Sequence, residues 1–391
     1  MNQEIIKAPR PREEDFLNFE CNIPQLVTNR VVQANGYFSE KNSVSIKETK
    51  GFEDIIITSV LNSKDKYKDI LNKYNIALES IDGNGLFIYI PDNKQVDIPL
   101  QMLDIIRADF PVSIETNNII ILGRDSKLKL IHCDDSVNNN KSVSDIRSKF
   151  YLDKRASLEY YKMENINNDS IISTDSEFNL EQEAELITFW LSINGGDIKN
   201  KLEVNLNGEY SKADLNGLYL TDKEQIVDNK IKVNHHKPNC FSNQLYKGIL
   251  DDSARGEFNG HVYVEKGATK TIAYQNNKNI LLTDKAVVNT QPFLEIYNDD
   301  VKCSHGATIG QLDDNAMFYL RSRGISQRSS RMLLMYAFCN DILLKASIEE
   351  LKERLGDIIK RRLHGELSTC ENCVLHCSTP DLAFDIDLSK I

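Results

Sequence analysis

The sequence predicts a mainly β chain of many short strands, with a mixed α/β N-terminal region and C-terminal helices. Two observations carry this. Runs rich in Ile, Val, Leu, Tyr and Phe recur between 84 and 310, among them "GLFIYI", "NIIILG", "LKLIHC", "ASLEYYKM", "ELITFWLSI", "KIKVNH", "GEFNGHVYV" and "FLEIYN", each bounded by Asn, Asp, Gly or Lys. From 184 onward they return at roughly 8 to 15 residues per strand and turn, with no useful helical period between them. Such spacing fits a sandwich, a barrel or a β-solenoid. Stretches such as "NNKN" and "NGEYSKADLNG" read as Asn-rich bends between stacked coils and favour the solenoid, whose coils share one narrow core. Pattern alone leaves solenoid and sandwich both open.

Residues 1–83 read as a small mixed α/β cap. "APRPREED" is a polar, extended entry and "NRVVQANGYFSE" a strand and turn. "SKDKYKDILNKYNI" (63–76) places Tyr67, Ile70, Leu71 and Tyr74 at helical spacing. Residues 84–310 form the β core. Residues 311–366 read as helical. There Asp313 or Asp314 caps "DNAMFYLRSR", and Gly324 stands where a glycine ends a helix. Ser326 opens the long apolar "QRSSRMLLMYAFCNDILLKA", and Ser347 with Glu350 makes a capping box before "IEELKERLGDIIKRRLHG". Residues 367–391 are a cysteine-containing tail.

The 391-residue chain is 41% hydrophobic and 27% charged, enough for a sizeable core in one large or two to three small domains. Its net charge of −11 repels phosphate backbones, so no nucleic-acid partner is expected. No apolar run approaches the roughly 20 residues that span a bilayer, so no membrane association is expected. "MNQEIIKAPRPREEDF" has no hydrophobic signal core. A cytoplasmic location follows as an expectation, with the eight cysteines as reduced thiols, buried or ligating.

No G-x-x-x-x-G-K-[ST] loop is present, so no nucleotide is expected on this chain, and "DGNGLF" is too short for a dinucleotide fingerprint. No G-x-S-x-G or zincin motif is present either. His235 and His236 are adjacent and would point to opposite faces of a strand. "CENCVLHC" holds Cys370, Cys373, His376 and Cys377. Four ligands in so short a turn rarely enclose one ion, since zinc sites take ligand pairs from separate segments. Cys370, Cys373 and Cys377 are candidates for a partial metal site, set against a loosely packed tail. Cys303 and His305, in "DDVKCSHGATIG", differ in kind. On a strand, i and i+2 share a face, and a sulfur with an imidazole suits iron, Fe–S clusters, copper or zinc. The plainer reading is a small core cysteine beside a turn histidine.

The stretch "SNQLYKGILDDSARGEFNGHVYVEKGATKTIAYQNNKNILLTDKAVVNTQPFLEIYNDDVKCSHGATIGQLDDNAMFYLRSRGIS" (242–326) closely resembles the SufB/SufD family, the scaffold proteins of Suf iron–sulfur cluster assembly. Weaker similarity runs back through "ASLEYYKM" and "GLFIYIPDN". "CSHGAT", where SufB-like chains carry an "EHEAT"-type sequence, points to the SufD branch. The resemblance implies a right-handed parallel β-helix with a mixed α/β N-terminal region and C-terminal helices. It implies a non-enzymatic subunit that pairs with a SufB-like chain and docks the SufC ATPase through its C-terminal helices. It also implies a transient Fe–S cluster shared with that partner, with Cys303 and His305 contributing to it. Phe318, Tyr319, Arg321, Arg323 and Gly324 match the segment facing the ATPase. Reduced flavin is linked to the family complex, although no flavin fingerprint occurs in the chain. A homodimer in isolation stays open beside the heterodimer.

Two other functions compete. A carbohydrate-active β-helix enzyme would carry a repeated column of acids across successive coils, and none is evident in the sequence. A purely structural interaction module would leave Cys303 and His305 inert.

Overall fold

The computed structural model describes residues 5–12, 26–41, 43, 52, 54–107 and 109–363. The chain winds into a β-solenoid of about seven turns, with strands making up 51% of it. The winding strands are β5 (Leu86–Ile90), β6 (Leu100–Ile106), β7 (Val112–Leu122), β8 (Lys127–Ser136), β9 (Ser142–Leu152), β10 (Ser157–Asn165), β11 (Ile171–Leu180) and β12 (Glu185–Asn194). They continue as β13 (Asp197–Leu206), β14 (Lys212–Thr221), β15 (Ile226–His235), β16 (Phe241–Leu250), β17 (Arg255–Val264), β18 (Thr271–Leu281), β19 (Val287–Ile296) and β20 (Val301–Gly310). Odd-numbered strands stack in one parallel sheet and even-numbered strands in a second, so each coil contributes one strand to each. At the N-terminal end β1 (Ile6–Lys7) pairs with β7, and β2 (Asn29–Ala34) extends the even sheet by pairing with β6. Two antiparallel pairs complete that end: β3 (Tyr37–Ser39) on β2, and β4 (Ile56–Ser59) on β5.

Coil length sets the register. Phe150 pairs with Phe178, Leu158 with Leu186 and Ile198 with Val227, so like residues stack. The Phe150 and Phe178 rings lie parallel with centroids 4.1 Å apart, a stack worth about 1 kcal/mol beyond the area it buries.

One corner repeats through the stack. Asn93, Asp125, Arg155, Glu183, Tyr210, Asn239 and Lys270 all take positive φ, between 55° and 63°. Each up to Asn239 donates its amide N–H to the carbonyl just before the next such corner: Asp125 to Lys154, Arg155 to Gln182, Glu183 to Glu209, Asn239 to Thr269. From Asp125 onward the next residue is small and buried: Ser126, Ala156, Ala184, Ser211, Cys240 or Thr271. A larger side chain there would push the coils apart.

The two sheets differ on their outer faces. β11 alternates inward and outward residues along its whole length. β12 and β14 are nearly continuously buried, because helices cover the even sheet. These are α4 (Gln327–Leu343) and α5 (Glu349–Leu363), preceded by α3 (Asp314–Ser322). Met335, Cys339, Ile342, Leu351, Leu355 and Ile359 share an apolar cluster with Tyr161, Phe189, Leu191 and Leu218 of the even strands. A strand apolar on both faces reads as an unbroken hydrophobic run, as "ELITFWLSI" does.

Asp313 caps α3 and Ser326 caps α4 through their side chains. Ser347 behaves differently from a capping-box serine. Its N–H donates to the Tyr161 hydroxyl, and its Oγ meets Lys129 Nζ and a carboxylate oxygen of Glu159. The residue ties α5 to the solenoid. The helix expected over 63–76 is two helices, α1 (Val60–Lys66) and α2 (Lys68–Lys73), separated at Tyr67. Tyr67 leaves the helical region to stack on Phe87, with centroids 6.0 Å apart. No described helix is long and apolar enough to cross a membrane.

Candidate functional site

β20 is the last strand of the even sheet, and its outer edge has no neighbour among the described strands. Cys303 and His305 occupy positions i and i+2 of it, in unbroken register with Ala273 and Gln275 of β18. Both β18 residues are buried inside the stack. The pair therefore lies on the inward column of the final coil, where no further coil among the described residues covers it. Cys303 is half-buried against Val262, Val264, Ala268 and Ala273, and His305 is exposed. Burial pushes the Cys303 thiol up, with a weaker opposing hydrogen bond from the backbone of Ala273. It rests as a thiol until a cation lowers its pKa, which a metal ion does. Cys133, Cys240 and Cys339 are buried.

α3 begins four residues after β20 and buries none of its residues. Phe318 is 75% exposed and Tyr319 57%; Arg321 and Arg323 are exposed beside them. The Arg323 guanidinium lies 5.1 Å from the centre of the Tyr319 ring, and Gly324 follows at φ +87°. An aromatic–arginine face of this kind is the composition of energetic anchors at interfaces. Cys370, Cys373 and Cys377 lie outside the described residues.

Sequence reading missed a polar centre inside the solenoid. The coil cross-section is apolar at both ends and polar between. Asp104, Asp134 and Glu164 pair in register on β6, β8 and β10, with Gln33 of β2 opposite Asp104. This is a column of acids across successive coils. It lies sealed inside, where Asp134 and Glu164 are at most 1% exposed, so no polysaccharide reaches it.

Beside the column, His132 Nε2 stands 2.7 Å from Asp104 Oδ2 and 3.3 Å from Asp134 Oδ1. His132 Nδ1 meets the Tyr160 hydroxyl at 2.7 Å, and Lys162 Nζ meets Asp134 Oδ2 at 2.6 Å. Burial and the Lys162 charge push the His132 pKa down, but Asp104 and Asp134 raise it further, and the net shift is upward. Burial raises Asp134, and the neighbouring Lys162 and His132 more than reverse it. Glu164 has a raised pKa, chiefly from burial. The signal in the sequence was "HCDD" with "YKMEN" about one coil later, legible only once the coil length is known.

The two adjacent histidines part as the strand period requires. His235 is buried, with Nε2 2.8 Å from Ser242 Oγ, and His236 faces outward, with Nδ1 3.0 Å from Glu265 Oε2.

A family model described as the SUF system FeS cluster assembly SufBD core domain matches residues 107–338, more than half of the chain. A second, the SufBD protein N-terminal region, matches residues 6–102. Among curated proteins, the chain is 35% identical over 230 residues to the iron–sulfur cluster assembly protein SufD of Escherichia coli, covering 59% of this chain and 54% of that protein. It is 26% identical over 363 residues to an iron–sulfur cluster assembly SufBD family protein of Synechocystis, covering 87% and 79%. It is 25% identical over 336 residues to the SufD of Bacillus subtilis, covering 82% and 76%.

Proposed function

We propose, from the premise that this chain belongs to the SufBD family of iron–sulfur cluster assembly proteins and is SufD-like within it, that it is a scaffold subunit contributing an incomplete ligand set to a shared assembly site. The observation that carries this is the place of Cys303 and His305 on the inward column of the terminal strand β20, beside an uncovered sheet edge. Two ligands do not fill a four-coordinate iron. A second subunit, SufB-like, completes the set when it covers the last coil. A site finished only on contact holds iron and sulfide and still releases them, which a closed set of four thiolates resists.

In this reading a SufC-type ATPase docks on the exposed face of α3, at Phe318, Tyr319, Arg321 and Arg323, with Gly324 ending the helix. The short span between His305 and α3 lets movement of a docked ATPase reach the terminal coil, since rotation at a shared surface repacks its contacts. Flavin, if used, belongs to the assembled complex. In the absence of a partner the same uncovered edge suits a second copy of this chain.

The test is anaerobic co-expression with SufB and SufC partners, followed by iron and sulfide counts on the purified complex. Cys303→Ser and His305→Ala are each expected to lower both counts about tenfold, the scale on which even outer partners of a metal site matter, with the complex intact. Undiminished counts in the double variant would reject the ligand role. Phe318→Ala with Arg321→Ala should release the ATPase and leave the SufB pairing in place.

A further inference from the structure

We propose that Asp104, His132 and Asp134 form a second metal site inside the solenoid, for one divalent first-row transition-metal ion. It is independent of the site at Cys303 and His305. Five strands lie between β8 and β20 in the even sheet, a separation of about 30 Å at the usual strand spacing of about 4.8 Å.

The ligand atoms converge. Asp104 Oδ2, His132 Nε2 and Asp134 Oδ1 all lie within 4.8 Å of one another. Ligands about 2.0–2.2 Å from a common ion stand roughly 3 Å apart, close to the 2.7 and 3.3 Å seen from Nε2. The three come from two neighbouring parallel strands, so the backbone fixes their spacing. Asp134 is 1% exposed, and its Oδ1 faces His132 Nε2 at 3.3 Å, a long contact for a buried carboxylate oxygen.

Each ligand's other polar atom is already held. Gln33 Nε2 donates to Asp104 Oδ1 at 2.7 Å. The Tyr160 hydroxyl holds His132 Nδ1 at 2.7 Å, and Lys162 Nζ holds Asp134 Oδ2 at 2.6 Å. Metal-binding histidines and carboxylates are oriented by such outer partners. With Nδ1–H donated to Tyr160, an ion would take the place of the proton that Nε2 shares with Asp104 Oδ2 at 2.7 Å. Lys162 does not fill the gap. Its Nζ is 3.1 Å from His132 Nε2 and 3.4 Å from Nδ1, and near-equal distances to both ring nitrogens put the ammonium over the ring face.

Donor chemistry narrows the occupant. Two carboxylates and one imidazole, with no thiolate, suit Mn(II), Fe(II) or Zn(II) over Cu(I) or a cluster. Entry is from the Asp104 side, whose side chain is 11% exposed against 1% for His132 and Asp134.

The experiment uses full-length chain stripped with a chelator and titrated with Co(II) as a spectroscopic probe, then with Mn(II) and Zn(II), followed by elemental analysis. To silence the thiols, the titration is repeated with Cys303, Cys370, Cys373 and Cys377 all replaced by Ser. One equivalent per chain, retained in that background and free of sulfur-to-cobalt charge-transfer absorption, is the expected result. Asp104→Asn, at the rim, should abolish it. Tyr160→Phe keeps the ring packed against Phe150, Phe178 and Trp190 and removes only the hydroxyl. As a positioning residue it should weaken binding about 10- to 100-fold with an unchanged circular dichroism spectrum. Loss of all binding in the four-serine background, or wild-type affinity in both Asp104→Asn and Tyr160→Phe, overturns the site.

Discussion

His235 records what the solenoid interior does to one titratable ring. Burial, with a smaller contribution from the adjacent His236, lowers its pKa from 6.5 to about 3. The unfolded chain takes up this proton near pH 6.5, and the folded chain does so only near pH 3. Stability therefore falls as pH drops through that window, by about 1.4 kcal/mol per pH unit from this residue. Comparing urea midpoints at pH 7 and 4.5, His235→Gln should lose about 2–3 kcal/mol less than wild type; equal losses would show that the ring is not held neutral. At this scale, what was legible followed locality. Cys303 and His305 share a face because strands alternate, and two residues of sequence are enough to say so. His132, Asp104 and Lys162 are brought together by pairing one coil apart. A one-residue error in coil length turns every side chain to the other face, so no local pattern contained that cluster.

The C-terminal helices show the same division. Asp313 and Ser326 cap their own helices, a contact of two or three residues that sequence signals capture. Ser347 carries the same signal, yet it bonds to Glu159 and Tyr161 across the interface, because these groups meet it where the cap would form. α5 is held at its other end by Arg362, which is nearly buried, donates to the Ile193 carbonyl at 3.0 Å and forks onto both carboxylate oxygens of Asp222 at 2.5 and 2.8 Å. Burial raises the Asp222 pKa and Arg362 more than offsets it. Arg362→Ala strands that carboxylate and should cost about 3 kcal/mol. The loss should appear first as faster amide exchange in Glu349–Leu363, with the strand amides of β9 and β11 still protected. Uniform acceleration everywhere would mean that α5 has no separate attachment.

For the whole molecule, the repeating strand runs announced a β architecture but did not choose between stacked coils and facing sheets, since both alternate inward and outward residues. The finding that chooses is the corner column, a left-handed residue followed by a small one in coil after coil. It escapes notice because no Gly stands there, and beside Asn93, Asp125 and Asn239 the left-handed residues are Arg, Glu, Tyr and Lys, which carry no preference for that conformation. That column also dictates how the chain tolerates changes in length. Removing residues 183–209 joins Gln182 to Tyr210 and leaves each remaining corner followed by its small partner, so β14 meets β10 and β15 meets β11. Removing 183–208 puts Glu209 at the corner and Tyr210 in the small pocket, and turns Leu215 outward. The first variant should melt cooperatively near the parent temperature; the second should be insoluble or melt far lower. Insertions and deletions at this corner are accordingly quantised: there the molecule can be lengthened or shortened by the coil, and the corner column is intolerant of anything less.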